Sequence, residues 1–166
     1  KTKTEKRPLG ISALESKIVE RGLTWILESI YEQDFLDSSY GFRPNRSCHQ
    51  ALKALHDQIM YQPVNLIVEA DIKQFFDHVP HERLLEFMRK RVTDPSFLNL
   101  IEKFLKAGYM DDGQLIETDM GTPQGSIISP MLSNIFLHYV LDTWFEQTVK
   151  SHTRGYCELI RYADDF

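Results

Sequence analysis

The sequence predicts an α+β fold in which one sheet packs against helices. Helical periodicity dominates the first part of the chain, and two short apolar runs with strand composition follow at 65–72 and 158–162. Helical patterns lie between these two runs, so strands alternate with helices in the second part. With 166 residues, of which 42% are hydrophobic, the chain has the size and composition of one ordinary domain.

Capping boxes predict the starts of the first two helices. Ser12 and Glu15 precede a helix that extends to about residue 33, and Ser47 and Gln50 precede a second helix that ends near Pro63. Two further helices are predicted at about 80–91 and 95–107, and the second of these lies between an Asp94 N-cap and Gly108. A strand at 114–118 is predicted after an Asp112-Gly113 turn, and a long helix from Ser129-Pro130 to about Lys150.

Acidic residues stand at the ends of both apolar runs, where carboxylates are unusual. Asp71 closes the predicted buried strand at 65–72, and Asp164 and Asp165 follow the strand at 158–162. Desolvating a carboxylate costs several kcal/mol unless a cation compensates. If the strands are neighbours, the acids converge at one end of the sheet, where Mg²⁺ is the natural cation for them to bind. Either site taken alone is better explained by an acid that merely caps a strand or turn.

Charge and composition exclude several other classes of protein. The net charge of -5 argues against a simple nucleic-acid-binding module, although it is compatible with an enzyme that holds metal ions through carboxylates. Cys48 and Cys157 form no CxxC pair, and surface positions are predicted for His78 and His81. The polar start of the sequence and the lack of an apolar run of ~20 residues predict no signal peptide, no membrane span and a cytoplasmic location.

Five sequence blocks together resemble the group II intron reverse transcriptase (maturase) family. They are RPLGI at 7–11, YGFRPNRS at 40–47, DIKQFFDHVPHERL at 71–84, GTPQGSIISPMLSNIFL at 121–137 and YADDF at 162–166. The resemblance implies a right-hand polymerase: a fingers portion over 1–62 and a partial palm over 63–166, with an antiparallel sheet packed on helices. It also implies that the chain stops just after YADD, without the thumb and maturase domains.

The resemblance implies a two-metal active site that uses Mg²⁺, with Mn²⁺ as a possible substitute. Asp71 and Asp164 resemble the two metal-ligand aspartates, and Asp165 resembles the third, less direct acid. The backbone carbonyl of Ile72 would face the metal ion that carries the phosphates of the incoming nucleotide. Phe76 resembles a steric gate that excludes a 2′-hydroxyl. The alternative for Phe76 is a core aromatic, which is the role we predict for the neighbouring Phe75.

Other residues resemble nucleotide and nucleic-acid contacts of the family. Arg7 resembles the arginine that grips the triphosphate, with Lys1 or Lys3 as companions unless these lysines are simply solvated. Gln124 resembles the glutamine that lies against the incoming nucleotide; an ordinary turn before a helix is the alternative for this loop. Arg43, Arg46 and Tyr162 would lie near template or primer; the alternatives are an internal salt bridge for the arginines and a packed strand-end tyrosine.

The implied reaction is RNA-directed DNA synthesis, in which a primer 3′-hydroxyl attacks a dNTP. The implied partners are an RNA template, a DNA primer and, in the full-length parent, the group II intron RNA; the sequence does not indicate an oligomeric state. Without the strand expected after YADD, we expect the chain alone to bind primer-template poorly and to show little or no activity. The alternatives are a retron- or CRISPR-associated reverse transcriptase, a non-catalytic palm-fold RNA-binding or interaction fragment, and an RNA-dependent RNA polymerase, against which Phe76 argues.

Overall fold

The structure is a computed structural model that describes residues 12–111, 114–116, 120–122 and 125–166, and these residues are mostly helical. The helices are α1 (Leu14–Tyr31), α2 (Cys48–Tyr61), α3 (His81–Met88), α4 (Pro95–Lys106) and α5 (Ser129–Leu137), with a 3₁₀ turn at Phe75–Asp77 before α3. The helical backbone continues after α5 through two π-helical segments, His138–Asp142 and Phe145–Val149, to the short α6 (Lys150–His152). This confirms the predicted long helix.

The predicted antiparallel sheet packed on helices is wrong. The strands found in the described part of the chain are β1 (Tyr109–Asp111) and β2 (Gln114–Ile116), which form a two-stranded antiparallel hairpin. Apart from this hairpin, the described residues contain isolated bridges rather than a sheet. Helices therefore dominate the fold, and the α+β prediction does not hold.

The apolar run at 65–72 explains the error. Leu66 and Val68 are 79% and 74% exposed, and residues 65–70 adopt no regular secondary structure. β-branched composition reports how well a side chain fits a half-buried, pleated surface, and it does not itself supply the neighbouring strand. The prediction of a buried strand at 65–72 is therefore wrong, because the described structure provides no neighbouring strand against which this run could be buried.

Local capping signals predicted most helix ends correctly. The Oγ of Ser47 accepts the amide N–H of Gln50 at 3.3 Å at the start of α2. The carboxylate of Asp94 accepts the amide N–H of Ser96 at 2.8 Å at the start of α4. Gly108 follows α4 with φ 66°, in the left-handed conformation that a glycine adopts without strain. Both side-chain caps satisfy backbone donors that the helix itself leaves unpaired.

The capping box predicted at Ser12 is wrong. Helix α1 begins at Leu14, Ala13 occupies the N-cap position, and no side chain caps this end. Ser12 therefore lies one residue too early, because a capping hydroxyl must stand at the N-cap to reach the amides of the first turn.

Helix α5 forms the centre of the core. It packs against α1 and α3, and α3 packs in turn against α4. Fully buried apolar side chains come from all four helices and include Leu27, Leu84, Ile101, Leu132 and Ile135. None of the helices in the described ranges is both long and apolar enough to cross a lipid bilayer.

Candidate active site

Residues 162–165 form a tight reverse turn. The amide N–H of Tyr162 donates to the carbonyl of Asp165 at 2.8 Å, and the amide of Asp165 donates back to the carbonyl of Tyr162 at 3.2 Å. Ala163 has φ 60°, the left-handed conformation that a residue with a Cβ rarely adopts. The turn therefore presents Ala163 and Asp164 at its tip.

Backbone hydrogen bonds join this turn to the segment that contains Asp71. Ala70 and Phe166 exchange N–H···O bonds of 2.6 and 2.9 Å, and the amide of Ile72 donates to the carbonyl of Asp164 at 3.3 Å. The pairing is antiparallel and sets Asp71 directly opposite Asp165. Because directly opposed residues of an antiparallel pair have neighbouring Cα atoms, the structure brings together the acids that lie 94 positions apart in the sequence.

A cleft opens beside this pairing. Its lining includes the predicted site residues Asp71, Ile72, Phe76 and Asp164, and also Gln74, Phe75 and Asp77. The side chain of Asp71 is exposed, whereas those of Phe76 and Asp164 are half-buried. The carbonyl of Ile72 accepts the amide of Phe75 at 3.2 Å. Asp77 was not among the predicted site residues, because its place in the cleft depends on the 3₁₀ turn.

Phe76 is held against the loop that leads to Gln124. Its carbonyl accepts the amide of Thr122 at 2.7 Å. Gly121 has φ 88°, and a Cβ at this position would lie 2.9 Å from that same carbonyl oxygen. The ring of Phe76 meets Phe75 edge-on at 5.6 Å, and Phe75 is a buried core residue as predicted. The close approach that Gly121 permits is thus to the backbone of Phe76.

Two buried polar side chains anchor the same loop, and neither was predicted. The Nε2 of His81 donates to the carbonyl of Gly121 at 2.6 Å, and His81 is buried, so its predicted surface position is wrong. The carboxylate of Glu20 on α1 accepts the hydroxyl of Ser126 at 2.8 Å and the amide of Ile127 at 2.6 Å. The partners of both side chains are remote in sequence, so no local pattern indicates them.

The two loop arginines differ in their surroundings. All three guanidinium nitrogens of Arg43 donate within the protein, to the carboxylate of Glu32 and to the carbonyls of Leu36 and Ser39. Arg43 is buried, so the structure shows the internal salt bridge and not an accessible phosphate contact. Arg46 pairs with Asp37 and retains 26% side-chain exposure.

The remaining predicted contacts are only partly described. Tyr162 is half-buried, with its ring 6.4 Å from that of Phe42, which is 53% exposed. Arg7 and Gln124 lie outside the described residues, and so do Lys1 and Lys3.

The largest buried polar group beside the turn is an ion pair that sequence reasoning missed. Arg161 and Asp142 are both 0% exposed, and two guanidinium nitrogens donate to the two carboxylate oxygens at 2.7 Å each. The signal in the sequence was the position of the arginine itself, because a charge inside the apolar run LIRYA requires a buried partner.

The oxygen donors in the cleft fit a divalent cation whose remaining coordination positions are filled by the substrate. Within the described ranges, no three acidic, histidine or cysteine side chains form a ready-made metal cluster. Asp71 and Asp164 nevertheless line one cleft with Ile72. Mg²⁺ in phosphoryl-transfer sites is typically held by one or two carboxylates together with substrate phosphates and water. The chemistry of this donor set therefore suits Mg²⁺.

Comparisons with known proteins identify sequences that are similar to this chain. The family described as "Reverse transcriptase (RNA-dependent DNA polymerase)" matches residues 1–166. The chain is 45% identical over 138 residues to the "Group II intron-encoded protein LtrA" of Lactococcus lactis subsp. cremoris, which is 83% of this chain and 23% of that protein. It is 42% identical over 135 residues to "Protein YkfC" of Escherichia coli K12, covering 80% of this chain and 35% of that protein.

A eukaryotic relative is similar to the same extent. The "Uncharacterized 91 kDa protein in cob intron" of Schizosaccharomyces pombe is 43% identical over 141 residues, covering 85% of this chain and 17% of that protein. The chain thus spans between about a sixth and about a third of the length of these three curated relatives.

Proposed function

Because the chain belongs to the reverse transcriptase family, of the group II intron type, we propose that it carries the catalytic centre for RNA-templated DNA synthesis. The reaction is attack of a primer 3′-hydroxyl on the α-phosphate of a dNTP, with release of pyrophosphate. The observation that carries the proposal is the antiparallel pairing of 70–72 with 164–166, which brings Asp71 and Asp164 to one cleft.

The acids of the cleft hold the reacting groups in place. Two Mg²⁺ ions, when bound, supply Lewis-acid stabilisation of the attacking and leaving oxygens. Asp71 and Asp164 act as the anionic ligands, and Asp165, paired opposite Asp71, adds negative charge beside them. Catalysis of this kind consists mostly of positioning and electrostatic stabilisation, so the rigidity of the acids matters as much as their identity.

The wall of the cleft selects the nucleotide. Phe76 lines the cleft beside Asp71, and its backbone is fixed by Thr122. A fixed ring beneath the sugar would admit a hydrogen and exclude a 2′-hydroxyl. Gln124, against the incoming nucleotide, and Arg7, at its triphosphate, complete the proposed nucleotide site. The carbonyl of Ile72 remains a proposed metal contact.

The proposed partners are an RNA template and a DNA primer, and group II intron RNA in the full-length protein. Arg46 and Tyr162 are the proposed contacts, since both retain partial exposure. The alternative, a non-catalytic RNA-binding role, would not need the acids at the cleft. The cytoplasmic location, the division into fingers and palm, and the low activity of the chain alone stay predictions.

Aspartate substitutions in the full-length protein that contains this chain test the proposal. We expect Asp71→Asn and Asp164→Asn each to lower primer extension on an RNA template by about 100-fold or more, as loss of a ligand to a catalytic metal ion should. Asp57→Asn, on α2 and not among the residues that line the cleft, is the matched control and should retain activity. Primer extension at the unaltered rate by Asp71→Asn and Asp164→Asn would refute the proposed catalytic centre.

A further inference from the structure

The guanidinium of Arg161 uses every donor it has inside the protein. Besides its two bonds to Asp142, one nitrogen donates to the side-chain oxygen of Asn134 at 3.0 Å and to the carbonyl of Ala163 at 2.8 Å. Another donates to the hydroxyl of Ser39 at 2.7 Å. A guanidinium has five N–H donors in a fixed planar fork, and here they correspond to five acceptors.

These acceptors belong to three separate parts of the chain. Asn134 lies on α5 and Asp142 on its π-helical continuation, Ser39 lies in the loop after α1, and Ala163 lies in the 162–165 turn. The side chain therefore joins the longest helical element and a loop to the turn that presents Asp164.

The backbone around Arg161 reinforces the connection. Its amide donates to the carbonyl of Ser38 at 2.8 Å, and its carbonyl accepts the amide of Tyr40 at 2.9 Å. The side-chain amide of Asn134 donates to the carbonyl of Gly41 at 2.8 Å. Gly41 packs directly on the turn: a Cβ at this position would lie 3.0 Å from the carbonyl carbon of Tyr162. The loop and the turn are thus held face to face.

We infer that Arg161 is a positioning residue for the metal-binding acids, which holds the 162–165 turn in the conformation that brings Asp164 to the same cleft as Asp71. The inference rests on the proposed function. Ala163 has a left-handed backbone, which is unfavourable for a residue with a Cβ and persists only where the surroundings impose it. The bond from Arg161 to the Ala163 carbonyl acts at that very residue.

The choice of residue supports positioning over simple core stability. A buried ion pair is often no more stabilising than well-packed apolar residues of similar volume. An apolar side chain at 161 could not donate to the Ala163 carbonyl, and a lysine offers a point charge with three donors in place of a planar fork. The arrangement is therefore one that only arginine satisfies.

Arg161→Lys in the full-length protein tests the inference. We expect Mn²⁺ binding, measured by electron paramagnetic resonance without substrates, to weaken by about 10–100-fold, as is typical when support behind a metal ligand is removed. The Mg²⁺ concentration for half-maximal primer extension should rise in parallel. Amide hydrogen exchange in peptides covering 160–166 should accelerate, since the amides of Tyr162 and Asp165 close the turn.

A core variant separates positioning from general stability. Ile135→Val lies on α5 next to Asn134, at a fully buried site outside the network. It should lower the melting temperature and leave Mn²⁺ binding, Mg²⁺ dependence and exchange at 160–166 unchanged. If Arg161→Lys behaves in the same way, with a lower melting temperature alone, the inference is wrong while the proposed function stands.

Two further variants keep the test decisive. If Arg161→Lys does not fold, Ser39→Ala replaces it, because this change removes a single acceptor of the network. Ser39→Ala should shift Mn²⁺ binding and amide hydrogen exchange at 160–166 in the same direction by a smaller amount. No shift in either measurement would overturn the inference. Asp164→Asn should abolish the Mn²⁺ binding that the unaltered protein shows. If Asp164→Asn binds Mn²⁺ normally, it is the proposed function that fails.

Discussion

At the scale of single residues, close backbone approaches at two glycines set the shape of the site. Gly41 packs on the 162–165 turn, and Gly121 packs on the carbonyls of Phe76 and Asp77. Backbone cannot move aside as the end of a flexible side chain can, so even one methyl group at such a position forces a shift. The sequence shows these glycines within the blocks that resemble the family, but it does not show what each one touches.

Gly41→Ala should destabilise the chain and displace the turn. The added methyl group would lie 3.0 Å from the Tyr162 carbonyl carbon and nearer still to the amide nitrogen of Ala163. Overpacking of this kind typically costs about 1–3 kcal/mol. Urea unfolding followed by circular dichroism measures the loss, and primer extension by the full-length protein should fall with it.

Gly22→Ala is the matched control for that substitution. Gly22 lies inside α1, and a Cβ there would meet nothing within 4 Å. Replacing a helical glycine where alanine fits should stabilise the chain by about 0.4–1 kcal/mol. Equal effects of the two alanines on the free energy of unfolding would show that the contact at Gly41 is not tight.

At the scale of elements, the structure ties the 121–128 loop to two helices. His81 holds its beginning from α3, and Glu20 holds its end from α1. Helix ends were largely predictable because caps such as Ser47 and Asp94 act within three residues along the chain. The side chains that anchor the loop were not predictable, because Glu20 lies 106 and 107 positions from its partners in the sequence.

Glu20→Ala should cost about 1–3 kcal/mol, because it leaves the amide of Ile127 and the hydroxyl of Ser126 without their acceptor. Glu20→Gln keeps one acceptor oxygen and should cost less. Glu28→Ala, at a half-buried position on the same helix, serves as the control and should change the free energy of unfolding by no more than about 0.5 kcal/mol. If Glu20→Ala matched this control, Glu20 would not anchor the loop.

At the scale of the whole molecule, the sequence predicted the helical framework and the acids better than the packing between them. The five blocks indicated Asp71 and Asp164, which the structure brings to one cleft, and the sequence pattern predicted the long helix. The sheet was wrong because strand pairing depends on partners that composition does not specify. The buried pair of Arg161 and Asp142 was missed for the same reason, since burial of a charge is decided by distant residues.

Burial also makes the stability of the whole chain depend on pH through His138. Desolvation lowers the pKa of His138 below its ordinary value, as do the charges of Arg161 and Arg43, and the carboxylates of Asp142 and Asp34 only partly oppose this. The unfolded chain therefore binds a proton at His138 more readily than the folded chain does. The contribution of His138 to the free energy of unfolding is fully present above a pH of about 6.5, and it is lost as the pH drops through the lowered pKa of His138.

His138→Leu should flatten that part of the pH dependence. In the unaltered chain, His138 contributes a loss of up to about 1.4 kcal/mol per pH unit below a pH of about 6.5. Urea unfolding between pH 7.5 and about 5 would show a shallower slope for His138→Leu, whereas His49→Gln, at an exposed position on α2, should keep the original slope. Identical slopes for all three chains would contradict the prediction.

The exposed run of Leu66, Ile67 and Val68 has a consequence for handling the protein. These side chains face water in a segment that forms no regular structure. Extended, uncharged stretches of branched residues promote association between chains and the growth of insoluble aggregates. Solubility of the isolated chain should accordingly be limited by this stretch, and a lysine in place of Val68 is the simplest remedy.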